Sequence, residues 1–493
     1  MLKLYLRVSH ESHNAAHRPH CNPMDTQTGL FDGCGRAEER TPNPAMIYVK
    51  NQKGYHLRLA GSPAAELVAL DSPLHVAVLP EHIPFVKPRL KVKLGDSVQV
   101  GTPLFEDKRN PEVHFLSPAG GSVSDIRYGH RRVIEQIVIQ RDPSESFQEF
   151  EAVPEKALDA MQPDQLIEIL LKGGMWALLR QLPFRDYPQP GSAPPAVYVT
   201  IGNLQPFHPR PNAFLRGNEA LFRYGIKILQ KLAQGSISIA AHHDDFQTIS
   251  AFSDLVTHVY SGNYPAHDAG VLVYRTRKDA GHNRAWYIDG QDLLLMAELV
   301  KTGKYPTEKI VAIAGSLAAE KKHFKIRMGS PVRHLLNGHP AEGSPRYIAG
   351  GVFSGYPIDE DGYLGPFESS LTVLPDGRGQ EVLALFRPGY HKPSYSRAFL
   401  SALNTHDFQM DCNRHGGIRA CIGCNHCTEV CPVEILPQLT YKGILADALE
   451  EVLAHGLLDC VECGLCSYVC PSKIELFLTL KNAKAAYYRE QVR

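Results

Sequence analysis

Short alternating runs of hydrophobic and polar residues occupy the first interpretable part of the chain. The alternation opens in MIYVKNQKGYHLRLAG, from Met46, and continues through FVKPRLKVKLGDSVQVGTPLFEDKRNPEVHFLSPAGGSVSDI. A period of two is typical of strands with one buried face. Gly95-Asp96, Gly101 and the segment 117–121 mark turns, because glycine reaches the positive φ that tight turns need. We therefore predict a β domain over residues 46–145.

The spacing of strands and glycines in this β domain resembles the barrel-sandwich fold of biotinyl and lipoyl domains. In those domains a hairpin lysine carries the cofactor, and Lys108 in Glu106-Asp107-Lys108 lies near that place. The second half of the hairpin, RNPEVHF, is longer and does not match. We therefore interpret Lys108 as an ordinary hairpin lysine of a structural barrel, with cofactor attachment as the alternative.

Between residues 150 and 330, helical and strand signals alternate. The helical patterns are DQLIEILLKGGMWALLRQL (interrupted at Gly173-Gly174), NEALFRYGIKILQKLA, DFQTISAFSDLVTHVYSG and QDLLLMAELVKTGK, and the strand patterns are PAVYVTIGN, SISIAAHH and KIVAIAG. This order predicts an α/β, Rossmann-like layer with a mainly parallel sheet. No GxGxxG follows a strand and no P-loop occurs, so we expect a degenerate nucleotide-binding fold. Residues 264–286 form either a functional loop or interface, or a solvated loop.

The two ends of the chain add three further units. Residues 331–395 contain RYIAGGVFSG, GYLGPF and a hairpin of SLTVLPDG with QEVLALFRPG, which predict a β-grasp-like module. Residues 396–493 are mostly helical. Residues 1–45 carry His10, His13, His17 and His20 without regular placement, so we predict a disordered or non-native extension and take Met46 as a candidate native start. The fold class predicted is α+β multidomain.

Composition narrows the function. Lys plus Arg and Asp plus Glu both number 52, so no basic excess is available to neutralise phosphates, and nucleic acid is not expected as a partner. We find no run of eighteen apolar residues and no apolar N-terminal signal region, which predicts neither a transmembrane helix nor a signal peptide. Nine of the eleven cysteines lie between Cys412 and Cys470, and such crowding favours a metal site over a disulfide framework.

Two cysteine runs of identical spacing carry the strongest chemical signal. They read CIGCNHCTEVCP and CVECGLCSYVCP, the C-x2-C-x2-C-x3-C-P spacing of two-cluster ferredoxins, in which the fourth cysteine of each run binds the other cluster. We predict one 4Fe–4S cluster on Cys421, Cys424, Cys427 and Cys470, and a second on Cys460, Cys463, Cys466 and Cys431. Zinc would need only two C-x2-C pairs, and disulfides need an oxidising compartment that nothing in the sequence indicates.

Other residues near the runs have weaker interpretations. Glu429, Glu434 and Glu462 would lower the cluster potentials, although carboxylates on a solvated face would do little. Cys412 lies nine residues before Cys421 and is interpreted as an ordinary thiol, with a ligand role as the alternative. No catalytic residue is assigned.

Segments spread over most of the chain carry a family resemblance. They are LRLAGSP, KVKLGDSVQVGTPLFEDKRNPEVHFLSPAGGSV, YPAHDAG, TGKYPTEKIVAIAG, RYIAGGVFSG, YLGPF and FRPGY. From Met46 to about Pro393 the chain resembles the A subunit of the Na+-translocating NADH:quinone reductase. That family keeps only a remnant of the second cysteine run. The tail of this chain resembles instead the C subunit of the related Rnf complex, which holds two 4Fe–4S clusters.

In the Rnf complex, the C subunit has in addition a glycine-rich FMN and nucleotide loop of the GGAGFPT kind. This chain has GGMWALLRQLPF at residues 173–184 in the corresponding place. The bulky side chains would obstruct close approach of the backbone to a phosphate. We therefore do not expect this chain to bind FMN or NADH.

The resemblance implies a peripheral electron-transfer subunit on the cytoplasmic side of the inner membrane. Its partners would be the other subunits of an Nqr- or Rnf-type complex, especially the membrane flavoprotein, and quinone stays open as a ligand. The two clusters would relay electrons in a Na+-translocating NADH:quinone oxidoreductase, with the isolated chain not catalytic. One alternative is an Rnf C-like subunit that oxidises NADH through bound FMN, coupled to ferredoxin. Another is a structural subunit whose clusters only hold the C-terminal helices together.

Overall fold

A computed structural model describes residues 46–491, except 234–235, 247–248, 338, 340, 342, 378–387, 396–398, 411 and 414–415. The predictions for residues 1–45, and for most of the strand QEVLALFRPG, lie outside the described residues. Among the described helices, none is long and apolar enough to cross a membrane.

The described chain contains nineteen strands and thirteen α-helices. The strands are β1 (Ile47–Lys50), β2 (Leu67–Ala69), β3 (His75–Val78), β4 (Pro88–Leu90), β5 (Ser97–Val98), β6 (Pro103–Asp107), β7 (Asn110–Leu116), β8 (Gly121–Tyr128), β9 (Ile134–Arg141), β10 (Arg180–Gln181), β11 (Ala196–Thr200), β12 (Ser236–His242), β13 (His258–Ser261), β14 (Trp286–Asp289), β15 (Glu308–Ala314), β16 (Lys322–Arg327), β17 (Pro345–Ala349), β18 (Tyr356–Ile358) and β19 (Ser370–Pro375). The helices are α1 (Glu155–Ala160), α2 (Pro163–Lys172), α3 (Pro211–Leu215), α4 (Glu219–Leu232), α5 (His243–Phe246), α6 (Ala269–Thr276), α7 (Gly290–Thr302), α8 (Val332–Leu335), α9 (His426–Glu429), α10 (Pro437–Leu445), α11 (Leu449–Ala454), α12 (Leu465–Tyr468) and α13 (Leu476–Gln491).

Two small antiparallel sheets form the N-terminal β domain. One has the order β3-β9-β8-β5 and the other β4-β6-β7. The alternating apolar residues of the sequence point between the sheets, where Leu104, Ile137 and Ile139 are fully buried and the rings of Phe105 and Phe115 stack with centroids 4.6 Å apart. The sandwich spans residues 75–141, because β1 and β2 leave it for other sheets.

The α/β layer is built on a sheet of order β1-β13-β12-β11-β14-β10. All neighbours are parallel except β10, which is antiparallel to β14. The longest helices on this sheet are α4 and α7. Helix α7 begins after Asp289, whose carboxylate accepts a hydrogen bond from the Gln291 N–H, and it ends at Gly303, which lies in the left-handed region.

Two sequence predictions for this layer were wrong in detail. The helix predicted over DFQTISAFSDLVTHVYSG ends early, and its last part is strand β13, which lies between β1 and β12. Val259 and Tyr260 in this part are of types that favour strands, and both pair with β1 on one side and β12 on the other. The strand of KIVAIAG, which is β15, lies in a different sheet.

That second large sheet has the order β18-β17-β19-β15-β16-β2. It therefore takes β2 from the segment predicted as barrel, and β15 and β16 from the segment predicted as α/β. Its core contains Val311, Phe324 and Leu371, all at most 1% exposed. No strand forms over GYLGPF, where Tyr363 makes only an isolated bridge to Pro331. Helices α9 to α13 make up the C-terminal tail.

Candidate functional site

The eight cysteines of the two runs line two separate cavities in the tail. Cys421, Cys424, Cys427 and Cys470 line the first cavity. Cys431, Cys460, Cys463 and Cys466 line the second. In each cavity three cysteines come from one run and the fourth comes from the other run. The structure thus brings together the two sets of four that the spacing predicted.

The two halves of the tail repeat one backbone course at an interval of 39 residues. Left-handed residues precede the short helices α9 and α12, namely Asn425 and Gly464. Positive φ also recurs at Gly423 and Glu462, and at Glu434 and Lys473. Each short helix carries the third cysteine of its run, and the chain then turns at the fourth. Both runs therefore follow the same local backbone course, and each supplies the fourth cysteine to the cavity of the other.

Backbone N–H groups approach the sulfur atoms, as the loop geometry of a cluster site requires. Burial raises the pKa of the Cys431 thiol to about 11, while N–H groups of Val433 and Ile435 act in the opposite direction. Burial likewise raises the pKa of the Cys463 thiol well above its usual range, while the N–H group of Leu465 acts to lower it. Buried thiols of this kind are protonated at neutral pH, and iron binding would displace their protons. Four cysteines line each cavity, which is the donor set that a 4Fe–4S cluster requires.

A different metal would need a different arrangement. Four thiolates around one Zn2+ lie about 2.3 Å from a single point. Among the residues that the structure describes, no group of three or more His, Cys, Asp or Glu side chains is placed to hold a metal ion. A cubane has four iron atoms, each bonded to one protein thiolate, so its cysteines stand farther apart.

Polar side chains brace the helices next to the first cavity. The Thr428 hydroxyl donates to the side-chain Oε1 of Gln438 over 2.7 Å, and the side-chain Nε2 of Gln438 donates to Oδ1 of Asn425 over 2.8 Å. The thiol of Cys427 also lies 3.3 Å from the same Gln438 oxygen. These contacts tie α9 to the start of α10 and hold the cysteine loop in place.

The α/β layer contacts the second cysteine run directly. The buried Tyr264 hydroxyl donates to the Cys463 carbonyl over 2.8 Å. Arg185 donates to the Val461 carbonyl over 2.9 Å and to both carboxylate oxygens of Asp268 over the same distance. Tyr264 and Asp268 belong to the YPAHDAG segment. Of the two interpretations of residues 264–286, the structure therefore supports an interface for this part.

The carboxylates near the cysteines are largely neutralised or solvated. Glu434 pairs with Arg275 over 3.1 Å, and Glu429 is exposed. Glu462 pairs over 3.2 Å with Lys484, a lysine whose side chain is only 3% exposed. Sequence reasoning missed Lys484. The signal was present, because Lys484 continues the stripe of Leu476 and Leu480 along the buried face of α13.

A cavity of about 440 Å³ lies where the α/β layer, the β domain, the second large sheet and the tail meet. Arg180, Lys309 and His208 line it, and Cys463 forms part of its wall. Gly173 and Gly174 do not line it. A Cβ on Gly173 would lie 2.2 Å from the Leu299 side chain, and one on Gly174 would lie 2.8 Å from Leu116. These glycines permit close packing at the end of α2.

Two other sequence candidates lie away from the cavities. Lys108 is exposed at the tip of the β6–β7 hairpin, whereas Glu106 and Asp107 directly before it are buried. Arg109 donates to Asp107 over 2.7 Å and to Asp186 over 2.5 Å, which joins the hairpin to the α/β layer. Cys412 is not among the residues that line either four-cysteine cavity.

Comparison with protein families gives four matches along the chain. Residues 49–142 match the NqrA N-terminal barrel-sandwich hybrid domain, which confirms the barrel-sandwich prediction. Residues 161–305 match the NqrA second alpha/beta domain, residues 310–359 the NQRA C-terminal domain, and residues 420–474 a 4Fe-4S dicluster domain.

Curated relatives match over most of their own length. The A subunit of the Na(+)-translocating NADH-quinone reductase from Tolumonas auensis is 31% identical over 416 residues, covering 84% of this chain and 92% of the relative. The Serratia proteamaculans protein of the same name is 32% identical, covering 83% and 92%. Among solved structures, an NAD+-reducing [NiFe]-hydrogenase in the H2-reduced state gives a TM-score of 0.34 at 13% identity, over 71% of this chain and 67% of that one.

Proposed function

Since this chain belongs to the A-subunit family of the Na(+)-translocating NADH-quinone reductase, we propose that it is the peripheral electron-transfer subunit of such a complex. It docks on the membrane subunits from the cytoplasmic side, with the membrane flavoprotein as the main partner. It relays single electrons through two 4Fe–4S clusters on the way from NADH to quinone. The isolated chain is not catalytic.

The two crossed sets of four cysteines carry this proposal. When bound, the clusters supply one-electron redox chemistry, and the protein tunes it through hydrogen bonds to sulfur, burial and nearby charge. The first set, Cys421, Cys424, Cys427 and Cys470, is flanked by the exposed Ile422. The second set, Cys431, Cys460, Cys463 and Cys466, is enclosed by the α/β layer through Tyr264 and Arg185. The hydrogen bonds of Tyr264 and Arg185 hold the second cysteine loop in position.

Anaerobic purification followed by iron and sulfide analysis tests the proposal. We expect about eight iron atoms per chain, the content of two cubanes, and EPR signals from two interacting clusters after dithionite reduction. Zinc in place of iron would remove the electron-transfer argument. Clusters that no donor within the working range of the complex can reduce would favour a structural role.

The interdomain cavity beside Cys463 is the observation that favours the alternative function, NADH oxidation through bound FMN. A ligand there would lie against the peptide of the second cysteine run. The packing of Gly173 and Gly174 against leucine side chains weighs against this alternative, because neither glycine is left to cradle a phosphate. Flavin analysis of the purified protein separates the two functions. Stoichiometric FMN together with NADH-reducible clusters would replace the relay proposal.

A further inference from the structure

A cation that is almost fully buried, Lys484, lies beside the second cysteine set. The Lys484 ammonium donates to the Cys460 carbonyl over 2.7 Å and pairs with Glu462 over 3.2 Å. The lysine is 2% exposed. Burying an ammonium is costly unless it is paired and hydrogen-bonded, and here both partners belong to the loop that binds the second cluster.

The 39-residue repeat of the tail provides an internal comparison. The position that corresponds to Lys484 in the first half is Leu445, which is uncharged and 68% exposed. The position that corresponds to Glu462 is Gly423. The first cysteine set therefore lacks both members of the ion pair, although its backbone follows the same course.

We propose that Lys484 raises the reduction potential of the cluster on Cys431, Cys460, Cys463 and Cys466. The inference rests on the relay function proposed above. Reduction adds one negative charge to the cluster, and a fixed positive charge in a buried, weakly screened place stabilises that added charge. Glu462 offsets part of the effect, but it is more exposed than Lys484, at 16% against 3%, so solvent screens it more. Lys484 acts on the cluster through the electric field of its ammonium group and through its hydrogen bond to the cysteine loop.

Potentiometric titration followed by EPR tests this on the anaerobically purified full-length protein. We expect Lys484→Met to shift the redox equilibrium of the second cluster about tenfold towards the oxidised form, which is about 59 mV for one electron. The first cluster should not move. Lys484→Arg, which keeps the charge, should restore most of the wild-type midpoint. Lys481→Met is the matched control, because Lys481 lies on the same helix but is exposed.

A second variant covers the case in which Lys484→Met does not retain its cluster. Glu462→Gln removes the offsetting charge and should move the second midpoint in the opposite direction, upwards. Two clusters with unchanged midpoints in Lys484→Met, or a midpoint that falls in Glu462→Gln, would overturn the inference and leave the relay intact. A wild-type protein without two reducible clusters would overturn the relay itself, and the inference with it.

Discussion

Replacement of Cys470 by alanine distinguishes crossed from uncrossed ligand sets. Cys470 belongs to the second run in sequence, but in the structure it lines the cavity of Cys421, Cys424 and Cys427. Each cubane takes one thiolate per iron, so Cys470→Ala leaves the first cluster with three ligands and the second with four. Iron should fall from about eight to between about four and seven atoms per chain. The loss should be confined to one of the two EPR signals.

The assay compares this variant with Cys424→Ala and Cys463→Ala by iron analysis and EPR of the reduced proteins. The EPR signal that remains in Cys470→Ala should be the one that remains in Cys424→Ala. In Cys463→Ala the other of the two EPR signals should remain. Combining Cys424→Ala with Cys470→Ala should affect no further cluster, because both act on one site. Combining Cys463→Ala with Cys470→Ala should damage both. If Cys470→Ala instead matches Cys463→Ala, the crossed assignment is wrong.

Three further predictions concern the supports of the site. Arg109→Met should lower the free energy of unfolding by about 3–5 kcal/mol, because two buried aspartates lose their cation. Urea denaturation measures this change, and the control Lys108→Met, at the exposed neighbour, should change the free energy by less than about 0.5 kcal/mol. Equal effects of the two variants would contradict the interpretation. Tyr264→Phe removes the hydrogen bond to the Cys463 carbonyl and should lower the free energy of unfolding by about 1–3 kcal/mol. The cluster absorbance should then be lost at a lower urea concentration than in the wild-type protein. Gly464 has φ +78°, and Gly464→Ala would place a Cβ 2.3 Å from a backbone oxygen. The iron content of this variant should therefore fall, and an unchanged iron content would refute the prediction.

Local sequence patterns could predict which cysteines line each cavity because the relevant geometry is local. The spacing of each run specifies a loop around one cubane, and the left-handed residues Asn425 and Gly464 are of the types that adopt this conformation most readily. The crossing follows once the two runs are recognised as a repeat. The sheet memberships were not accessible in this way. Strand β2 pairs with β16, and β1 pairs with β13, across more than 200 residues of sequence. The sequence of a short strand does not specify which distant strand it will pair with.

The environment of the two cysteine sets has the same non-local origin, and this limits what the spacing of the cysteines can predict about function. Both cysteine runs have the same spacing, yet only the second is held by Arg185 and Tyr264, which lie about 200 or more residues earlier, and by Lys484 on the last helix. Potentials depend on burial, hydrogen bonds and charge around the sulfur atoms more than on the order of the ligands. Two clusters of identical motif in one tail therefore need not be equivalent, and the difference between them arises from how the tail packs on the rest of the chain.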